Sequence, residues 1–303
     1  MIAAGIDLGG TKIEVQLFDD DWAVAHRHRV PTPSDYDDLV AAIADQVRWA
    51  DDIAGAAVPV GIGAAGLLHP VTGLALTANL PASGKPFQQD IEAAIGRSIT
   101  YVNDCRAMAL SEAIFGVGQG QRTVVALILG TGIGGGIAVD GTILQGPTMT
   151  GGEFGHTAAP AHLVAKYNLP VVTCGCGRPG CTETYIAGPG MQRLAKALTG
   201  KDIDPPQIAA RRHGDMMQVW SVWCEMTAEL LHTLTMTVDP DLIVLGGGLS
   251  QIDGVVDDLT AAALRAQIGD FGAAKLVLAQ GGDTSGARGA AYAAWQAKEQ
   301  QDD

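Results

Sequence analysis

Apolar residues along this chain come in short bursts, and most bursts end in glycine. The stretch "AAGIDLGGTKIEVQLFDDD" opens as an apolar run, breaks at Gly9 and Gly10, and resumes with apolar and polar positions in alternation. That pattern predicts a strand, a tight turn and a second strand. "TVVALILGTGIGGGIAVDG" repeats the plan: a strand, a glycine turn at 130–136, a strand, and then Asp140-Gly141, a two-residue hairpin signal. A third run, "PDLIVLGGGLS", also closes in glycines, after a long helical segment. The chain reads as two halves with a shared plan, each opening on a hairpin around a glycine turn.

Between these landmarks, helical spacing covers 35–49, capped by Ser34 or Asp35, then 87–96, 105–115, 205–212, 216–238, 255–268 and 286–298. A buried strand is expected at 58–64 and a strand at 98–102. Strands alternating with helices predict an α/β fold. The flexible stretch "GVGQG" at 116–120 marks an expected boundary between a smaller N-terminal domain, 1–117, and a larger one, 118–285. The last helix, about 286–303, is expected to pack back on the first domain.

A chain of 303 residues, 47% of them apolar, has material for two cores. Its net charge of −14 removes the basic footprint that nucleic-acid binding needs and suits a soluble surface. A phosphate ligand stays open, because the amides of a glycine turn bind one locally. The long uncharged runs, 54–84 and 123–139, are crowded with glycine, and the first also carries Pro59, Pro70 and Pro81. They read as strands and loops, so no membrane partner is expected. The opening "MIAAGIDLGG" has no basic segment and its apolar run breaks at Asp7, so no secretory signal is expected. Five cysteines, an odd number, argue against a fully paired disulfide framework and for a cytoplasmic protein with reduced thiols.

Several stretches carry candidate chemistry. In "DLGGTK", 7–12, Gly9 and Gly10 let the backbone approach a ligand, Thr11 and the turn amides can donate to phosphate, and Lys12 adds charge. Asp7, at the strand end, can hold a metal ion through water. A plain hairpin turn is the alternative. "GTGIGG", 130–135, matches G-x-G-x-x-G, but a β-branched, alternating segment follows where a dinucleotide site needs a helix. A phosphate-facing hairpin fits better. "ASGKPF" puts proline where a P-loop needs serine or threonine. "GGGLS", 246–250, is either a tight strand–helix turn or a nucleotide contact. "YVNDC" puts Asn103 and Asp104 where a strand hands over to a helix; Asp104 is there either a cap or a general base for a substrate hydroxyl. "GGEFGH" joins Glu153 and His156 in a glycine-rich loop suited to a ligand with many hydroxyls, or to solvent.

The densest signal is "CGCGRPGCTE". Cys174, Cys176 and Cys181 form C-x-C-x4-C in a turn rich in glycine and proline. A disulfide does not suit a reduced compartment, and a C-x-C redox pair leaves Cys181 idle. A tetrahedral zinc site is the better reading and needs a fourth ligand, with His156, His162 and Cys224 as candidates. Four protein ligands would make such a zinc structural.

"DLGGTK", "ND" before a helix, "GTGIGGG", "GEFGH", "CGCGRPGCTE" and "DPDLIVLGGGLS" occur in the order of the ROK family of bacterial sugar kinases. The resemblance runs nearly end to end. It implies two ribonuclease-H-like α/β domains of the actin-like ATPase superfamily around a central cleft, with a homodimer common in the family. Some ROK members are repressors with an N-terminal helix-turn-helix; this sequence starts on its first strand, so a kinase is expected. "TANLPASGKPFQQDIEAAIG" and "TGGEFGHTAAP" are most similar to the subgroup acting on N-acetyl-D-glucosamine, whereas family fructokinases more often read "EWGH". The resemblance implies an ATP-dependent, magnesium-requiring kinase for the sugar 6-hydroxyl, with another hexose or a non-catalytic sugar sensor as alternatives.

Residue by residue, it implies Asp104 as the base, and Gly66, Asn79, Asn103, Glu153, His156 and Glu183 as sugar ligands. His156, Cys174, Cys176 and Cys181 match the zinc ligands. Gly9, Gly10, Thr11, Lys12, Gly130, Thr131 and Gly132 match the ATP phosphate loops, with Asp7 beside them and Gly246 and Gly247 near the adenosine. One departure stands out. The family usually reads "NDAN" where this chain has "NDCR", so that Cys105 and Arg106 adjoin the base. Arg106 is expected either to lower the pKa of Asp104 or to point away from it.

Overall fold

The computed structural model describes residues 1–282 and 285–302, with 301 and 302 as backbone only. Both expected hairpins form. β1 (Ala3–Leu8) pairs antiparallel with β2 (Lys12–Phe18), which pairs with β3 (Val24–Pro31). The chain continues through α1 (Tyr36–Ala54), β4 (Val60–Ala64), a small hairpin of β5 (Leu67–Leu68) and β6 (Ala75–Leu76), α2 (Phe87–Ile95), β7 (Thr100–Asn103) and α3 (Asp104–Phe115). Strands β4 and β7 add parallel to the β1 side, which gives the order β3-β2-β1-β4-β7.

The two-residue period of β1 and β4 explains what covers this sheet. Ala4, Ile6 and Leu8 of β1, with Val60, Ile62 and Ala64 of β4, meet Leu39, Ile43 and Val47 of α1 and Phe87 and Ile91 of α2. The opposite face carries Gly5 and Gly61. A Cβ on either would overlap a carbonyl oxygen, of Ala287 or Ala290, in the last helix, α10 (Ser285–Asp302). Glycine on the strands and alanine on the helix let the two backbones approach closely.

The second half repeats the plan. It holds β8 (Thr123–Leu129), β9 (Ile133–Val139) and β10 (Thr142–Ile143), then α4 (Ala161–Lys166), α5 (Glu183–Ile186), α6 (Gly188–Thr199), α7 (Pro205–Ala210) and α8 (Met217–Val238), and closes with β11 (Leu242–Gly246), α9 (Val255–Ala266) and β12 (Lys275–Leu278). At the β9–β10 turn Asp140 (φ 50°) and Gly141 (φ 71°) are both left-handed, as a two-residue hairpin of the primed type requires. Strands β8, β11 and β12 run parallel, and the order β10-β9-β8-β11-β12 matches that of the first sheet. The long α8 buries Trp223, Met226, Leu230 and Leu234.

The chain divides into two compact units. Unit 1 comprises Met1–Gly120, Gly136–Gly151 and the segment from Gln280 onward; unit 2 comprises Gln121–Gly135 and Gly152–Ala279. The domain boundary expected at 285 adjoins Asp283 and Thr284, which lie outside the described residues. Among the described residues, no helix is long and apolar enough to cross a membrane.

Candidate active site

In unit 1 the decisive point is the junction of β7 and α3. Asn103, not Asp104, caps the helix: its Oδ1 accepts from the amides of Cys105 (3.0 Å) and Arg106 (3.4 Å). Its amide Nδ2 donates to the carbonyl of Gly66 at 3.2 Å, which uses one of its two hydrogens. Gly66 sits at φ 120°, and a Cβ there would stand 2.5 Å from the carbonyl oxygen of Leu76, so only glycine fits. Asp104 is then the first helical residue, half-buried, with the Cys105 amide 2.9 Å from its Oδ1. Burial raises its carboxyl above the usual aspartate range, against the opposing pull of the Cys105 hydrogen bonds. Of the two expectations for Arg106, lowering this carboxyl or pointing away from it, the lowering is not what governs its shift. Arg106 is buried, and its Nε and Nη2 donate to the carbonyls of Gly151 (2.8 Å) and Met149 (2.6 Å).

The first glycine turn lies in the same unit. The Gly9 amide donates to the Lys12 carbonyl at 3.0 Å, and Thr32 Oγ1 to the Gly9 carbonyl at 2.6 Å, which fixes the turn. Gly10 faces the exposed Asn79; a Cβ on Gly10 would stand 3.0 Å from the Asn79 carbonyl oxygen. Asp7, near the end of β1, lies toward the start of α10, with Oδ1 at 3.5 Å from where a Cβ on Gly286 would stand.

In unit 2 the other two glycine turns meet. Gly247 (φ 82°) lies so close to the end of β8 that a Cβ would stand 2.5 Å from the Leu129 carbonyl oxygen. The Gly188 amide, at the start of α6, donates to the Gly130 carbonyl at 2.8 Å. A pocket of about 500 Å³ opens here, lined by Gly130, Thr131, Gly248, Leu249, Ile252, Pro189, Gln192, Pro205 and Pro206. Its mixture of glycine turns and flat apolar side chains suits a phosphate next to a planar ring. The sequence singles out the glycines and the 246–250 stretch that holds Leu249, but not Pro189, Gln192, Pro205, Pro206 or Ile252. Their Gly/Pro-rich context signals turns, and only the fold brings segments over a hundred residues apart to one pocket.

The cysteine turn of unit 2 gathers four donors. His156 ends a short 3-10 turn, Phe154–His156, and its ring nitrogen with the sulfurs of Cys174, Cys176 and Cys181 all lie within 4.8 Å of one another. Cys176 and Cys181 Sγ are 3.5 Å apart, and Cys174 Sγ and His156 Nδ1 3.6 Å. Ligands at zinc bond lengths in a tetrahedron stand roughly 3.6–3.8 Å apart, so this soft donor set fits zinc. Neither alternative fourth ligand joins: His162 pairs with Glu229 at 3.5 Å, and Cys224 is buried in α8. His156 turns Nδ1 to the cysteines and Nε2 toward Glu153, whose Oε2 is 3.9 Å away. Glu183, at the start of α5, bridges the two features: Oε1 accepts from the Cys174 thiol (3.0 Å), and Oε2 accepts from the Ile133 amide (3.2 Å) beside the 130–132 turn. Glu153, His156 and Glu183 thus form one cluster; Gly66, Asn79 and Asn103 belong with Asp104 in unit 1.

The ROK family profile matches residues 3–297. An N-acetylgalactosamine kinase of Shewanella sp. (strain ANA-3) is 36% identical over 292 residues, covering 95% of this chain and 94% of that one. An N-acetyl-D-glucosamine kinase of Yersinia enterocolitica is 37% identical over 295 residues, covering 95% and 97%. The structure of a ROK family glucokinase from Streptomyces griseus, in complex with glucose and AMPPNP, matches with a TM-score of 0.75 at 29% identity, covering 98% of this chain and 100% of that one. The twice-used sheet order is the ribonuclease-H-like plan of the actin-like ATPase fold. Profile, relatives and fold agree over nearly the full length, and the chain belongs to the ROK family.

Proposed function

We propose that this protein is an ATP-dependent kinase that transfers the γ-phosphoryl group of ATP to the 6-hydroxyl of N-acetyl-D-glucosamine. The observation that carries the reading is the division of labour at the start of α3. Asn103 does the capping, so the Asp104 carboxylate is available to take a proton. Its raised pKa moves it toward the working range of a general base.

As the sugar oxygen forms its bond to the γ-phosphorus, Asp104 accepts the hydroxyl proton, and the bond to the bridging oxygen breaks to release ADP. The amides of Gly10 and Thr11 in one glycine turn and of Thr131 and Gly132 in the other are the donors for phosphate, and Lys12 adds a positive charge, while the Gly9 and Gly130 amides close their turns on the Lys12 and Gly132 carbonyls. The pocket beside Gly247 and Leu249 takes the nucleoside. The ROK resemblance implies as sugar ligands Asn103, with one amide hydrogen still to give, Gly66 and Asn79 in unit 1, and Glu153, His156 and Glu183 in unit 2. Asp7 would hold a magnesium ion, which would neutralise phosphate charge. Zinc on His156, Cys174, Cys176 and Cys181 would fix the Glu153–His156 loop to the cysteine turn without an open coordination position.

A second acceptor has a specific observation behind it: one relative at 36% identity is an N-acetylgalactosamine kinase. The base and phosphate loops serve either epimer. The test is ADP release with ATP and magnesium against N-acetylglucosamine, N-acetylgalactosamine, N-acetylmannosamine, glucose, mannose, fructose and no sugar. A clear preference for N-acetylglucosamine supports the reading. Preference for another sugar replaces the acceptor and keeps the chemistry. Sugar binding without ADP release, in folded, zinc-loaded protein, overturns it in favour of a sensor.

A further inference from the structure

Arg106 stands two residues after Asp104, where ROK sequences usually carry asparagine. It is 1% exposed, and a guanidinium taken out of water has to be satisfied by the protein. Its planar fork reaches two carbonyls two residues apart, Met149 through Nη2 at 2.6 Å and Gly151 through Nε at 2.8 Å. On its backbone side it is equally fixed: a Cβ on Gly136 would come within 2.6 Å of the Arg106 Cα.

Within the segment it holds, Thr148 and Thr150 share a hydroxyl hydrogen bond of 2.8 Å, and the Leu144 amide donates to the Ile137 carbonyl at 2.8 Å. From Leu144 to Glu153 the chain forms no regular element, and most of 146–151 is exposed. Met149 sits at φ 57°, a region unfavourable for a side chain of this kind, and its amide meets the Gly146 carbonyl at 3.1 Å. An exposed, strained turn without ladder bonds relaxes unless something ties it down. The tie matters because Glu153 lies two residues after Gly151, and consecutive Cα atoms are only about 3.8 Å apart. Where the Gly151 carbonyl is held sets the point at which the chain leaves unit 1.

We propose that Arg106 is a positioning residue for sugar binding: its guanidinium clamps 149–151 to the first turn of the helix that carries Asp104, and so sets where the chain leaves unit 1 on its way to Glu153 and His156. The proposal rests on the sugar-kinase reading. Asparagine is too short to span to these carbonyls. Lysine has the reach and charge, but a single ammonium does not reproduce the rigid fork.

The test compares wild type with Arg106→Lys and Arg106→Met, by steady-state kinetics in sugar and in ATP and by hydrogen exchange of peptides covering 146–154. The expected result is a sugar KM raised about tenfold in the lysine variant and further in the methionine variant, with the ATP KM within about twofold of wild type. Exchange of 146–154 accelerates in the same order, and zinc content is unchanged. If the methionine variant fails to fold, the lysine variant decides. Unchanged sugar KM and exchange overturn the proposal, and so does a parallel rise of both KM values with a lowered melting temperature, which marks a merely structural role. If the wild type phosphorylates no sugar, the kinase reading has failed, and sugar affinity by calorimetry together with exchange judges the clamp separately.

Discussion

Replacing Asp104 by asparagine separates chemistry from folding. Asparagine keeps an Oδ1 acceptor for the Cys105 amide at 2.9 Å and removes only the charge and the basicity. Loss of a general base costs roughly 10²–10⁴ in turnover, about 3–5 kcal/mol of transition-state stabilisation. Stability moves the other way. Burial raises the folded pKa of Asp104 above its unfolded value. A carboxyl raised on folding contributes stability that is fully present below the unfolded pKa of about 3.9 and is lost as pH rises through the folded pKa. At neutral pH the native state therefore carries a charge it disfavours, and Asp104→Asn melts at or above the wild-type temperature. The gap closes below about pH 4, where both side chains are neutral. A coupled ADP assay, calorimetric sugar binding and melting curves from pH 4 to 8 test all three parts. Unchanged turnover removes Asp104 as the base. A lower melting temperature at pH 7 refutes the burial argument even if activity is lost.

Two further outcomes follow from the geometry. Cys176→Ser removes one of the four clustered donors, so metal analysis should show zinc lost and the sugar KM should rise; wild-type protein without zinc sinks this prediction. Glu112 is fully buried, and its carboxylate accepts from the amides of Val117, Gln280 and Gly281 and from Ser285 Oγ. In Glu112→Gln an NH₂ group turns toward at least one of these donors, at a cost of about 1–3 kcal/mol; an unshifted urea midpoint contradicts it.

The sequence shows most clearly what is local. Asp140-Gly141 needs two left-handed residues in a row, and that requirement is visible without any partner. The C-x-C-x4-C spacing likewise brings three sulfurs into one turn by itself; the choice among His156, His162 and Cys224 for the fourth donor needed the fold. Strand β3, "VAHRHRVP", escaped notice because it is a mostly exposed edge strand whose polar residues leave no alternating apolar face. Helix α6 escaped because "GPG" reads as a turn. Yet Pro189 sits in the first turn, where its missing amide loses nothing, and Gly190 lies so close to Tyr185 that a Cβ would stand 2.5 Å from that backbone.

The junction at 103–104 shows why local rules stop short of function. Asparagine and aspartate are about equally good helix caps, so "ND" before a helix allows either residue to cap and either to react. What decides is an atom 37 residues away. The Gly66 carbonyl takes the Asn103 amide hydrogen, which orients Oδ1 toward the helix amides and commits Asn103 to the cap. Gly66 can present that carbonyl because its φ of 120° is open only to glycine, in a hairpin pressed against Leu76 and Thr77. Arg106 illustrates the same dependence from the other side. Beside a carboxylate in sequence, it reads as a charge that either tunes Asp104 or points away; in the fold its guanidinium donates to Met149 and Gly151, and burial sets the direction of the Asp104 shift. Adjacency in sequence names the candidates for chemistry, and long-range backbone hydrogen bonds assign the roles.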